Sequence, residues 1–503
     1  MKRLVLFHYH FLPGGVTSVV RHILNAVKKA GEVQEVILCC ATQMGISGLA
    51  SDPGMPRFRF YDLPEMGYRQ RETYDRSRFQ HEKKAILKAL TQMESPETLF
   101  WVHNHHLGKN PAFTAALWDY ARKGESPLLL HLHDFPECGR WENYAFLKEY
   151  TEEWYPSGEQ VWYGAINRRD YRILLESGVP AGRLFYLPDS SVPDGEMERS
   201  PASRKRARKA VQECCGKSGY NFDEKAPLFI YPVRTIRRKN VIEAFLIASM
   251  AKSNLIVTLP ANSEPERPYE KVVAGLSGEG FFRGAWALSH SCPGSFQQVV
   301  QAADLVLSSS VMEGFGLFFL ETKMRKANFM ARSLDIMDDF KGLDRQGVYD
   351  ILPVPEELAE REDLKDRYVK RIARLPLGKD RVQQLTERTL SALSKGPVDF
   401  AFLDVPRQAA ILKERGAREE MAKAGKTLVE KALSLAGTFR DQGIDAECFS
   451  PGTYLKRITG LLETISGEAV REDRWKVEQR AVLDRFLRPE MIRLLLDYKG
   501  ERT

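Results

Sequence analysis

The chain has 503 residues, of which 43% are hydrophobic and 28% charged, with a formal net charge of +7. That length is too great for one ordinary hydrophobic core, and the composition is that of a folded soluble protein built as two lobes with additions. No apolar run approaches the roughly 18 residues of a membrane span, and the start Met-Lys-Arg-Leu-Val-Leu-Phe-His is too short an apolar run for a signal peptide.

The first apolar run, residues 4–7, reads as a buried strand. Leu12-Pro13-Gly14-Gly15-Val16 follows, where a glycine turn can open a helix and offer its N-terminus to a phosphate. Val16, Val19, Val20, Ile23, Leu24 and Val27 then form one apolar helical stripe. Further short apolar runs at 36–40, 99–102, 127–132, 161–166 and 184–187 alternate with amphipathic segments. Such a pattern predicts a doubly wound parallel sheet. Seven of the ten histidines, His8, His10, His103, His105, His106, His131 and His133, stand at or just past these strands. Neutral imidazoles there can donate to and accept from sugar hydroxyls or a phosphate. His103, His105 and His106, with Lys109 and Asp134, are therefore expected to line a polar acceptor cleft. A metal reading is weaker, because no cysteine or carboxylate lies close in sequence to His103 and His105, although His131 and His133 from a nearby strand could complete a set.

Residues 190–225 turn polar, with Pro193, Pro201 and the basic run Arg204-Lys205-Arg206 with Arg208 and Lys209; they are expected to form a linker whose basic run is an exposed helix. The strand pattern resumes at 228–231, 255–259, 280–282, 304–307 and 328–330. After about residue 355 the chain reads mainly as charged amphipathic helices, clearest in Tyr454, Leu455, Ile458, Leu461, Leu462 and Ile465. The seven cysteines are scattered and odd in number, which suggests neither a disulfide framework nor a structural zinc site and fits a reducing, cytoplasmic compartment. The basic charge suits a phosphorylated small molecule and permits peripheral contact with an acidic membrane surface. No aromatic-plus-basic platform for nucleic acid stands out.

Two constellations in the second stretch carry chemistry. Arg234 and Lys239 follow the strand at 228–231, where an open α/β sheet binds ligands. Two cations there would neutralise a diphosphate. After the strand at 304–307 comes Glu313-Gly314-Phe315-Gly316-Leu317 and, eight residues beyond Glu313, Glu321. Glycines allow a ligand to approach the backbone, the helix start offers unpaired N–H groups, and carboxylates accept from sugar or ribose hydroxyls.

Together these residues resemble glycosyltransferase family four, the retaining group that includes sucrose and sucrose-phosphate synthases. Glu313 to Glu321 matches its Glu-x7-Glu motif, Arg234 with Lys239-Asn240 its basic pair, Gly14-Gly15 its first glycine loop, and His131-Leu132-His133-Asp134 its active-site histidine, with His133 the better fit. The resemblance covers residues 1–335. It implies the GT-B architecture, in which two Rossmann-like doubly wound lobes face a cleft. The expected layout is an acceptor-side lobe at 1–195, a linker at 196–225, and a donor-side lobe at 226–450 with a helical insertion at about 355–440. Helices at 451–503 would pack back on the first lobe, with Trp475, Val482, Leu483, Phe486, Leu487 and Ile492 as their apolar surface.

The resemblance further implies that Arg234, Lys239 and the Gly15 amide, beside Gly14, hold a donor diphosphate. Glu321 would accept from the ribose. Glu313 and the backbone of Gly314, Phe315, Gly316 and Leu317 would hold the donor sugar, and His133 would touch it near the anomeric carbon. The partners implied are a nucleotide sugar and a sugar, polyol or phosphorylated acceptor, with no metal and no cofactor beyond the co-substrate. A disaccharide phosphorylase and a non-catalytic binding subunit on the same fold are the alternatives. After Glu321 the family's usual glycine and proline are replaced by Lys326 and Asn328, so that turn must be built differently.

Overall fold

A computed structural model describes residues 1–12, 14–42, 44, 49, 56–190, 201–261, 264–288, 296–437, 444–467, 475–487 and 495–496. Pro13, Pro193, Cys292 and Ile492 lie outside the described residues. The chain divides into two compact units, Met1–Val192 with Glu447–Leu487, and Pro193–Ala446 with Arg488–Thr503.

In the first unit the apolar runs become parallel strands because both of their faces are buried. They are β1 (Arg3–Phe7), β2 (Glu35–Cys40), β3 (Arg57–Asp62), β4 (Thr98–His103), β5 (Leu128–Leu132), β6 (Val161–Ala165) and β7 (Leu184–Tyr186). Their order is β3-β2-β1-β4-β5-β6-β7, with Leu4 in register with Val36 on one side and Leu99 on the other. The winding reverses between β1 and β4, and ligands of open α/β sheets bind at the carboxyl ends of strands at such a point. The edge strand β3 was not among the expected runs, since Arg57-Phe58-Arg59-Phe60 alternates and is only half-buried.

The helix Gly15–Ala30 presents its predicted stripe to the sheet and to the helix Pro451–Ser466. Val20, Ile23, Leu24 and Val27 share one core with Tyr454, Ile458, Leu461, Leu462 and Ile465. A second returning helix, Gln479–Phe486, is tied to this unit through Glu478 N–H to Ser177 O and the ring pair Phe135–Phe486. The returning segment is shorter than the expected 451–503, because Arg488–Thr503 falls to the second unit. There the Leu496 carbonyl accepts from Arg237 Nε at 3.0 Å.

The second unit repeats the plan with β8 (Leu228–Arg234), β9 (Asn254–Leu259), β10 (Arg283–Trp286), β11 (Leu305–Ser308), β12 (Phe329–Arg332) and β13 (Val348–Tyr349). All are parallel, in the order β10-β9-β8-β11-β12-β13, reversing between β8 and β11. The strand expected at 280–282 begins at Arg283 instead, because Gly280 takes a left-handed φ of 75° and turns the chain first. The two-residue β13 carries too short a signal to expect.

The expected linker at 196–225 is corrected by the structure. Residues Pro201–Lys217 form a helix whose Ala207, Val211 and Cys215, spaced four apart, pack under Leu228, Ile230 and Ile256 of the second sheet. Its basic run is anchored as well, since Arg204 and Arg208 both pair with Asp304, whose carboxylate also accepts from Leu228 N–H. Cys214 on this helix is disulfide-bonded, which the scattered cysteine spacing does not foretell. No helix of the described residues is long and apolar enough to cross a membrane.

The helical insertion, opened by the pair Pro353–Val354 with Val398–Asp399, is fastened to the sheet by one buried charge. Arg332 at the end of β12 reaches Glu243 through Nε at 2.8 Å and Nη2 at 2.6 Å. It reaches Asp399 through Nη1 at 2.7 Å and Nη2 at 2.6 Å. All three side chains are at most 3% exposed. Tyr349 and Asn240 also donate to Glu243, at 2.7 and 2.6 Å. Removing one member of a buried pair leaves its partners as uncompensated charges, at about 3–5 kcal/mol. Arg332→Leu is therefore expected to lower the unfolding free energy, measured by urea titration, by that amount. Arg332→Lys should recover little, because an ammonium cannot bridge two carboxylates as a planar fork does.

Candidate active site

At the β8–β11 reversal the chain leaves β8 through Thr235, enters a short turn Arg237–Lys239, and starts the helix Val241–Met250 after Asn240, whose φ of 51° is left-handed. The turn separates three adjacent cations. Arg237 points into the protein, to the carbonyls of Leu496 and Leu403 at 3.0 Å each. Arg238 donates to the Met312 carbonyl at 2.7 Å and stands 3.6 Å from Glu313. Lys239 donates to Glu313 Oε1. The backbone of this turn is pinned to the loop after β11: Ser309 Oγ donates to the carbonyls of Lys239 and Asn240 at 3.2 and 3.0 Å, and Tyr231 OH to that of Lys239 at 2.6 Å.

Burial works against the charge on Glu313, but Lys239 and then Arg238 more than offset it, and its carboxyl is held below the usual range. Lys239 is pushed down, chiefly by burial and also by the neighbouring Arg238 and Arg234, although Glu313 opposes this. One carboxylate thus faces two cations, Arg238 and Lys239, and Arg234 at the end of β8 acts electrostatically on Lys239. The surplus positive charge is suited to a diphosphate. Sequence reasoning named Arg234, Lys239 and Glu313. It missed Arg238, because nothing in a run of basic residues says which one turns outward.

The glycine turn divides into parts with different work. Gly316 has φ 89°, a backbone conformation that other residues adopt only with strain, so the turn requires glycine whether or not a ligand meets it. It opens the helix Leu317–Met324, on which Glu321 is half-buried. Phe315, expected near the donor, is buried against Phe340. Beyond Glu321, Lys326 adopts φ 49° where the family has glycine, and Ala327 N–H closes the helix end on the Thr322 carbonyl. Asn328, in place of proline, donates to the Leu435 carbonyl at 2.7 Å. In the first unit Gly14 is extended, and a Cβ on Gly15 would meet no atom of the described residues within 4 Å. Protein packing does not ask for glycine at Gly15, which leaves room for a ligand at the helix start.

The histidines gather as the sequence suggests, but deeper. His103, His105 and His106 are fully buried, so they do not line an open cleft as expected. The end of β4 is covered instead by the segments holding Trp154, Phe135 and Tyr155: His105 Nε2 meets the Trp154 carbonyl at 3.0 Å, and the His106 ring packs on Phe135 and Tyr155. His133 is 9% exposed. Its backbone N–H donates to Asn104 Oδ1 at 2.8 Å, and its Nε2 lies 2.9 Å from His103 Nδ1. Asp134 is paired with Arg140. Half-buried Lys109 lies 5.4 Å over the ring of Tyr68, and Arg140 bears on it electrostatically. Trp101, Asn104, Tyr68 and Arg140 carried no signal of their own in the sequence.

Nitrogen atoms of His103, His131 and His133 all lie within 4.8 Å of one another, close enough to hold a transition metal. Trp101 opposes that use. Its indole N–H can only donate and reaches His131 Nδ1 at 3.3 Å. The remaining nitrogen of neutral His131 then carries the proton and offers no lone pair. A metal would first have to break this buried hydrogen bond.

No protein-family model matches the chain. The Anabaena protein HepE, solved with UDP and glucose, has a TM-score of 0.50 and 12% identity, covering 92% of this chain and 100% of that one. Sucrose-phosphate synthase from Thermosynechococcus elongatus has a TM-score of 0.49 and 13% identity, covering 92% and 99%. The first of these likenesses shows the fold alone, the pair of Rossmann-like lobes of GT-B glycosyltransferases. Mannosylglucosyl-3-phosphoglycerate synthase from Petrotoga mobilis is 35% identical over 511 residues, which is 99% of this chain and 100% of the synthase. The chain belongs to the glycosyltransferase family of that synthase.

The buried histidines make the first unit sensitive to acid. Burial holds His8 and His131 at about 3 and His105 at about 4, and pushes His103, His106 and His133 well down. The unfolded chain takes up these protons first, so stability falls as pH drops below about 6.5, by about 1.4 kcal/mol per unit for each group. Glu137 and Asp189, which burial raises to about 7, act in the opposite sense. Six groups against two decide the sign. Calorimetry between pH 7 and 5 should show a steep fall in the unfolding temperature of the first unit, with proton uptake on unfolding.

Proposed function

We propose that the chain is a retaining, family-four type glycosyltransferase that moves a sugar from a nucleoside diphosphate to a phosphoglycerate-bearing acceptor. The observation that carries this reading is the pairing of Lys239 and Arg238 with Glu313 at the β8–β11 reversal, with Arg234 close enough to act on Lys239. Its surplus of positive charge suits a diphosphate leaving group, and Glu313 and Glu321 suit donor-sugar and ribose hydroxyls. The name of the Petrotoga relative describes a product containing mannose, glucose and 3-phosphoglycerate. By that analogy the donor sugar is mannose and the acceptor is glucosyl-3-phosphoglycerate. Lys109 in the first unit supplies positive charge suited to such an acceptor's phosphate or carboxylate.

In this mechanism the acceptor hydroxyl attacks on the face that the diphosphate leaves, and the departing phosphate oxygen takes its proton. The cations stabilise the charge that grows on that oxygen, His133 contacts the sugar, and no metal or protein nucleophile takes part. No observation favours a phosphorylase or a binding subunit.

The test is to incubate the purified protein with GDP-mannose, UDP-glucose or ADP-glucose and glucosyl-3-phosphoglycerate. Nucleotide release should require the acceptor, proton NMR of the fresh product should show the donor's anomeric configuration, and prolonged chelation should leave the rate unchanged. An inverted linkage would overturn retention, and a chelator-sensitive rate restored by metal would overturn the metal-free route. Release of inorganic phosphate from the relevant disaccharide would favour the phosphorylase. Arg234→Ala and Lys239→Ala should each lower kcat on the order of 10²-fold with the fold intact. Glu321→Gln should weaken donor binding more than acceptor binding, as calorimetry can measure.

A further inference from the structure

The proton positions on the buried imidazoles follow from their neighbours. His103 Nδ1 and His133 Nε2 stand 2.9 Å apart, so one N–H lies between them. The other nitrogen of His103, Nε2, is buried with no hydrogen-bond partner among the described residues. A buried N–H with no acceptor is costlier and rarer than a buried lone pair with no donor. The proton of His103 therefore belongs on Nδ1, where it is donated to His133 Nε2. Neutral His133 must then carry its own proton on Nδ1, the one nitrogen that His103 leaves to a ligand. The backbone on both sides is fixed: Asn104, at a left-handed φ of 56°, takes its own N–H to the His131 carbonyl and accepts from His133 N–H through Oδ1.

We propose that His103 is a positioning residue that locks His133 in the Nδ1–H tautomer, so that His133 meets the sugar as a hydrogen-bond donor. This rests on the reading of His133 as the group that contacts the donor sugar. With its lone pair occupied by His103 and its remaining nitrogen protonated, His133 has no base to offer. Its depressed pKa, set mainly by burial, also keeps it from serving as an acid near neutral pH. Its contribution is an N–H aimed at a sugar oxygen, in line with a reaction in which the leaving phosphate handles the proton. The full burial of His103 thereby gains a use: it cannot touch an acceptor, but it can set the sense of the residue that faces the substrate.

The experiment uses the full chain labelled with 15N-histidine, with His133→Asn to assign the resonances. Long-range proton–nitrogen correlation at pH 7.5 should show His133 protonated at Nδ1 and bare at Nε2. Protonation at Nε2 would overturn the proposal whether or not any variant folds. In parallel, His103→Leu should lower kcat on the order of 10–10²-fold, within the range for loss of one preorganised donor, with the donor KM changed less than about threefold. His103→Asn, whose amide N–H can take the place of Nδ1, should return the rate to within about tenfold of wild type. Equal rates in Leu and Asn variants that both fold would also overturn it. A fully active His133→Ala would instead remove the sugar-contact reading while leaving the tautomer measurement standing, so the two failures are separable.

Discussion

The second unit depends on Arg332. A guanidinium buried to 2% exposure is tolerable only because Glu243 and Asp399 each give it both oxygens, and each carboxylate is held in turn by other donors. Asp399 belongs to the helical insertion, Glu243 to the helix that follows the β8 turn, and Arg332 to β12. One side chain therefore fastens three parts of the unit. The link reaches the candidate site in two steps, because Glu243 accepts from Asn240, and Asn240 is the left-handed residue that directly follows Lys239. Gln408, from the insertion, donates to Asn240 Oδ1 as well. The insertion after residue 355 thus serves as a brace for the basic turn.

The first unit solves a different electrostatic problem. It concentrates imidazole at the ends of β1, β4 and β5 and removes water from it, which keeps these rings uncharged and makes their tautomers matters of geometry. Trp101 orients His131, and the Trp154 carbonyl meets His105. Nearby, Glu137 accepts from Trp154 Nε1 at 3.1 Å and Tyr155 OH at 2.9 Å while burial raises its pKa to about 7. Buried polar groups held this way specify one arrangement, since any other leaves a donor or acceptor stranded.

Much of this was legible in the sequence for a physical reason. Strands buried on both faces must be apolar throughout, so β1, β4, β5, β8, β9 and β11 announce themselves. The edge strand β3 need not be, and Arg57-Phe58-Arg59-Phe60 passes unnoticed. The stripe from Val16 to Val27 gives the first helix because one face repeats every three to four residues. Charge alone misled at Arg204 and Arg208. They look like a solvated linker until Asp304, about a hundred residues on, is seen between them. Motif positions single out Lys239 and Glu313 but not their pairing, and that pairing, the outward turn of Arg238 and the buried role of Arg237 all depend on backbone geometry that composition does not encode. Histidine is ambivalent about burial, so the sequence could place the cluster but not its depth.

The returning segment Glu447–Leu487 has a consequence for how the protein comes into being. The face of the helix Gly15–Ala30 that carries Val20, Ile23, Leu24 and Val27 needs Ile458, Leu461 and Leu462 to finish its core. During synthesis, at roughly 5–20 residues per second, that partner emerges about 20–80 s after the helix. The whole of the second unit's long central segment, Pro193–Ala446, is made in between. The lobe begun first is thus completed only after most of the second has been made, and until then the apolar face of that helix lacks its partner. The length of that interval is set by the order of the segments along the chain.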